Sequence, residues 1–213
     1  MGCLSLILPL VIILPLVIVL LFLNIVTISF GKLGLTPSSV LVLLILTLIG
    51  SMINIPVSRR GIPYQNHSPT LFKFFFFRPP PVTIQTIAVN IGGAIIPIAL
   101  TLYLLPRAAP LPTLVTTAMV ALVTWKFAKV VPGVGITMPG FIPPLLSAGL
   151  AYLLARDNPA PVAYIAGTMG TLIGADLLNW SKLKNLGAQL ISIGGAGIFD
   201  GIFLSGLIAV LLA

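Results

Sequence analysis

The chain has 213 residues, of which 58% are hydrophobic and 7% charged, with a formal net charge of +8. Soluble domains carry about 25% charged and about 45–50% apolar residues, so this composition excludes an ordinary water-soluble fold. The positive balance does not indicate nucleic acid, because the eleven Lys and Arg residues interrupt apolar runs and build no continuous basic stripe.

A helix needs about 20 mostly apolar residues to cross roughly 30 Å of hydrocarbon. In chain order the first candidate span is Leu4 to Ile28, followed by Lys32. It is longer than a signal-peptide core and has no positive segment before it, so a cleaved leader is not expected. The second runs from Ser38 to Val57 and stops at Arg59-Arg60. A loop over 58–81 follows, holding His67 and the run Phe72-Lys73-Phe74-Phe75-Phe76-Phe77-Arg78. Phenylalanines between two cations suit a segment lying in the headgroup boundary. Val82 to Leu105 is the third span, and Leu111 to Trp125 a short fourth. The fifth begins irregularly in the Pro/Gly-rich stretch Val131 to Pro144 and continues to Leu154. Pro161 to Trp180 is the sixth, and Gln189 to Leu212 the seventh. The expected fold is all-α, a polytopic bundle of about seven transmembrane helices forming one domain.

Cytoplasmic loops carry the excess of Lys and Arg. Counting loops alternately, Arg59, Arg60, Lys73, Arg78, Lys126, Lys129, Lys182 and Lys184 fall on the amino-terminal side, against Lys32, Arg107 and Arg156 on the other. This predicts a multi-pass protein of the cell membrane with its N-terminus cytoplasmic and its C-terminus outside. Tyr103, Trp125, Tyr152 and Trp180 fall at span ends, where amphipathic rings sit.

Two short strings recur in the same order. Thr47-Leu48-Ile49-Gly50 returns as Thr171-Leu172-Ile173-Gly174, and Ile91-Gly92-Gly93-Ala94 returns as Ile193-Gly194-Gly195-Ala196. They suggest a parallel internal repeat, with helices one to three (about 4–105) matching five to seven (about 131–212) and helix four (about 111–125) as linker. Pro132-Gly133-Val134-Gly135, Met138-Pro139-Gly140 and Pro143-Pro144 leave backbone groups without helical partners, so that stretch is expected inside protein or against water. In the seventh span Gly194-Gly195-Ala196-Gly197 reads equally as close helix packing or as a helix break.

The chain has three acids. Asp157 sits in a polar turn beside Arg156, whereas Asp176 and Asp200 lie inside apolar spans. An aspartate at a helix centre costs about 2.5–3.5 kcal/mol even on the lenient insertion scale, so each should face the bundle interior and a polar partner. Their nearest polar company is Asn179, one turn from Asp176, and Ser205, a turn beyond Asp200. By helical rise, Asp176 lies roughly 6–9 Å inside the cytoplasmic boundary and Asp200 roughly 12–16 Å.

An Asp on helix six and another on helix seven, within Ile173-Gly174-Ala175-Asp176 and Gly195-Ala196-Gly197-Ile198-Phe199-Asp200, resembles the GxGD intramembrane aspartyl proteases of the presenilin and signal-peptide-peptidase type. That resemblance implies Asp176 and Asp200 as a catalytic pair and a transmembrane peptide as substrate; Asn179, Gly197 and Ser205, with Asn54 and Asn90, are the candidate substrate-binding residues. From Pro139 onward, Gly174-Ala175-Asp176-Leu177-Leu178-Asn179 and Gly194-Gly195-Ala196-Gly197-Ile198-Phe199-Asp200-Gly201-Ile202-Phe203 are also similar to an uncharacterised family of prokaryotic multi-pass membrane proteins. That resemblance implies a cell membrane and no activity.

Three uses of the aspartates stay open. One is hydrolysis, in which a carboxylate activates water while its protonated partner polarises a carbonyl. Another is a proton- or Na⁺-coupled transporter or channel, in which the acids bind the cation and the first repeat contributes near Asn54 and Asn90. The third is a purely structural role. His67 has no companion ligand in sequence, and no metal cluster, nucleotide loop or haem motif is visible, so neither metal nor cofactor is expected. The expected partners are lipid and either a membrane peptide or a small cation, with no nucleic acid and the oligomeric state open.

Overall fold

The computed structural model describes residues 4–63, 82–131, 135–183, 190–195 and 201–213. Asp200, Gly197, His67 and the Phe72–Arg78 run lie outside the described residues.

Helix α1 spans Leu4–Gly31. Among the described residues its Ile13–Gly31 stretch, 19 residues, is the one long and apolar enough to cross a membrane, while the apolar helices Pro37–Ser51, Ile91–Arg107, Ile142–Leu154 and Ile202–Leu212 are shorter. Helix α2, Pro37–Ser51, starts where Thr36 Oγ1 accepts the Ser39 amide and Pro37 fills the first turn. Strand β1, Asn54–Pro63, then pairs antiparallel with β2, Val82–Asn90, in a register that sets Asn54 opposite Asn90. A widened helical turn, Ile91–Ile95, leads from β2 into α3, Ile96–Leu104. Helix α4 covers Pro110–Phe127, and the small hairpin β3 (Lys129–Val131) and β4 (Gly135–Thr137) precedes α5, Ile142–Leu154. Helix α6, Pro159–Thr171, widens over Leu172–Leu177 and is followed by the single turn α7, Trp180–Leu183. Strand β5, Leu190–Ile193, joins β2 in parallel, and α8 spans Gly201–Leu212.

The chain is thus mostly helical with a three-stranded sheet, β1-β2-β5, and not all-α. The correction falls on four expected spans. The second ends at Ser51 rather than Val57, the first nine residues of the third form β2, the fifth begins as a hairpin, and the seventh opens as β5. Hydropathy counts apolar residues without regard to branching at Cβ. Val82-Thr83-Ile84-Gln85-Thr86-Ile87-Ala88-Val89 is dense in β-branched residues that suit a pleated ladder. In the seventh span, φ angles of +86° and +95° at Gly194 and Gly195 end the strand, so these two glycines are a break rather than helix packing.

Helix α6 is the core. Ala160 to Thr168 are all buried, and the helix packs against α3, α4, α5 and α8. Its small residues permit this enclosure, since a Cβ at Gly170 would stand 2.6 Å from Val120 Cγ1 of α4. On the α1 and α8 side, Phe30 meets Tyr164 and Phe203 with ring centroids 6.0 and 6.1 Å apart.

One end of the bundle is tied by cations. Lys32 Nζ donates to Val210 O (3.3 Å) and Leu211 O (3.1 Å), stabilising the C-terminal end of α8. Arg107 donates to Leu33 O at 3.1 Å and covers the Tyr103 ring at 4.4 Å, while Asn158 Nδ2 donates to Arg107 O at 3.2 Å. The sheet lies at the other end of α2, whose fifteen residues extend roughly 22 Å.

Candidate functional site

The polar residues of this second end are held by the turns that follow the strands. In the first half Asn90 closes β2 and caps the next helix, its Oδ1 accepting the Gly93 amide at 2.8 Å. Its Nδ2 donates to Ser51 O (2.7 Å) at the end of α2 and to Asn54 Oδ1 (3.2 Å) at the start of β1. In the second half Ser192 occupies the position before the repeated Ile-Gly-Gly-Ala string that Asn90 occupies in the first. Its Oγ lies 2.7 Å from Gly195 O and 2.6 Å from the same Asn54 Oδ1. The two halves therefore converge on one amide oxygen.

Asp176 joins this arrangement from the widened turn after α6. Its Oδ2 accepts the Gly194 amide at 3.0 Å, and among the described residues that is the hydrogen bond it makes. No basic side chain reaches it among the described residues, where the carboxylate holds a backbone turn. Gly194 is itself pressed onto the first half, since a Cβ there would stand 2.6 Å from Ala94 Cβ. The first-half Gly92 is as tightly held, against the backbone of Thr47 and Ser51. The matching glycines of the two copies, Gly92 and Gly194, are both contact points.

Of the expected site residues, Asn54, Asn90 and Asp176 are brought together through Ser192 and the Gly194-Gly195 turn. Asn179 and Ser205 make their hydrogen bonds elsewhere. Asn179 is buried with Nδ2 donating to Gly174 O and Ala175 O (both 3.1 Å) and Oδ1 accepting from Lys182 Nζ at 3.0 Å. It is satisfied by its own turn. Ser205 on α8 donates to Gly167 O at 3.1 Å, beside Thr171, fastening α8 to α6. Ser192 was missed in sequence because a lone serine in an apolar run carries no signal. Aligning the two Ile-Gly-Gly-Ala strings would have found it opposite Asn90. Gln85 was missed as well: it is buried on β2, and among the described residues neither of its amide atoms has a partner.

Chemically the site offers uncharged oxygens from both halves and one carboxylate anchored by a backbone amide. Such a set suits a hard cation or a proton. The model of a family described as "Protein of unknown function (DUF1614)" matches residues 48–212, and the chain belongs to that family. No curated protein and no solved structure matches the chain.

Proposed function

We propose that this DUF1614 protein is a multi-pass carrier of the cell membrane that couples to movement of a small cation, a proton or Na⁺, through Asp176. The observation that carries the reading is the meeting of Asn54, Asn90 and Ser192 beside the Asp176-anchored turn. Sites of secondary carriers form where two repeats meet and where helices are interrupted by extended backbone. Here the interruptions are the breaks after Ser51 and around Gly194-Gly195, and residues 4–105 and 131–212 are read as the two repeats.

The reading of about seven membrane crossings rests on two supports. Large apolar side chains face outward on most helices, including Leu21, Ile45, Leu102, Leu122, Leu153 and Leu212. A protein in water does not leave so wide an apolar surface uncovered. The second, third, fifth and seventh crossings then combine a short helix with extended backbone, tolerated where it is enclosed by protein, whereas the fourth and sixth are helical. In addition Lys32, Arg107 and Asn158 gather at one end with the close of α8, as alternate crossings require; the cytoplasmic N-terminus rests on the Lys and Arg count alone.

The test is cation flux in proteoliposomes carrying a pH-sensitive dye, repeated with a sodium gradient. Wild-type protein should dissipate one of the gradients and Asp176→Asn should not. Equal flux in the variant would overturn the carrier. Cleavage of a single-span peptide that requires both Asp176 and Asp200, without flux, would return the function to the intramembrane hydrolase.

A further inference from the structure

The oxygens around Ser192 outnumber the protons available to them. Asn90 has one orientation, because its Oδ1 accepts the Gly93 amide at 2.8 Å. Both protons of its Nδ2 are then directed to Ser51 O and Asn54 Oδ1, which orients Asn54 as well, oxygen toward Asn90. That oxygen is 2.6 Å from Ser192 Oγ, which is 2.7 Å from Gly195 O. The two carbonyl-type oxygens carry no proton and the hydroxyl carries one. The single proton bridges one contact or is shared between the two, and either way the two acceptors are not both fully satisfied. A cation among the three oxygens removes that conflict.

The ligand set also selects the ion. All three donors are hard, uncharged oxygens, and the nearby Asp176 carboxylate is fixed to the Gly194 amide one residue before Gly195. A single negative charge matches a monovalent ion. Calcium and magnesium sites draw on harder, more heavily charged or more hydrated shells, and among the described residues no group of three His, Cys, Asp or Glu could hold a metal. The close spacing of the oxygens favours the smaller alkali ion. The geometry points to a sodium site formed by Asn54 Oδ1, Ser192 Oγ and Gly195 O, with Asp176 as its counter-charge. This inference rests on the carrier reading and names its coupling ion.

Binding is measured on the purified full chain in detergent by equilibrium dialysis with radiolabelled sodium, and by Tm in NaCl against choline chloride of equal ionic strength. Saturable sodium binding and a Tm rise specific to sodium are expected for the wild type. Ser192→Ala should weaken binding at least tenfold, and Ser192→Thr, which keeps the oxygen, should restore it. Absence of saturable binding by the wild type overturns the site whether or not any variant folds. Equal responses to sodium and potassium, or unchanged binding in a folded Ser192→Ala protein, would do so too. Proton flux that depends on Asp176 without sodium binding would remove this inference and leave the carrier standing; sodium binding without flux of either ion would do the reverse.

Discussion

Ser192 Oγ stands 2.6 Å from Asn54 Oδ1 across 138 residues of chain, and this contact joins the second strand-turn unit to the first. Because the same amide oxygen also accepts from Asn90, removing either partner disturbs the other. A double-mutant cycle of Asn54→Ala and Ser192→Ala, read by denaturation in detergent, should return a coupling of about 0.5–3 kcal/mol. Strict additivity would mean that the contact holds nothing together.

Glycine at position 92 is required by space. An added Cβ would run into the carbonyl of Thr47 and the amide of Ser51, which are backbone and cannot rotate away. Gly92→Ala should therefore destabilise by about 1–3 kcal/mol or more. Gly149, in the middle of α5, has nothing within 4 Å of the same atom, so Gly149→Ala should stabilise by about 0.5–1 kcal/mol through helix propensity. Thermal denaturation of the pair separates packing from propensity.

Asp176→Asn keeps an oxygen that accepts the Gly194 amide while removing the charge. The fold should survive, with Tm within a few degrees of wild type, and cation flux should be lost. Asp157→Asn, in the exposed turn between α5 and α6, should change neither. A variant at position 176 that unfolds would show that the charge itself holds the turn.

Asn90→Ala strips three hydrogen bonds, one of them the helix cap, from a buried position, and should cost about 1–3 kcal/mol. Asn90→Asp would restore the acceptor for Gly93 but turn an unprotonated oxygen toward Ser51 O. Its stability should fall below that of wild type and recover as acid protonates the new carboxyl. A pH series of Tm values checks the direction.

Ser205→Ala tests the opposite expectation. Its hydroxyl fastens α8 to α6 through Gly167 O and makes no hydrogen bond to Asn54, Asn90 or Ser192 among the described residues. Stability should drop by about 0.5–1.5 kcal/mol and flux per folded molecule should stay as in wild type. Loss of flux at unchanged stability would bring Ser205 back into the site.

Several features were legible before the fold. The scarcity of charge, the apolar runs and their punctuation by Lys32, Arg107 and Lys126 all read directly from composition. So did Asp176 as the acid needing a partner, and Asn54 and Asn90 as first-half polar candidates. The β strands were not legible, because Val82–Val89 satisfies an apolar window as fully as a helix does. Pairing partners such as Ile193, opposite Val89, are distant in the chain. The partner of Asp176 was hidden for another reason: it is a backbone amide, and every residue but proline has one.

The sequence by itself determined the composition class, the recurrence of the two glycine strings and the isolation of the acids, since these depend only on which residues are present and in what order. Tertiary structure alone decided that Gly194-Gly195 ends a strand where the seventh span was expected to continue as helix. It also decided that Asn54, Asn90 and Ser192 share one oxygen. Both outcomes depend on contacts between segments, in which ladder hydrogen bonds and close backbone approach at glycine outweigh local helix propensity. No window along the chain contains both partners of such a contact.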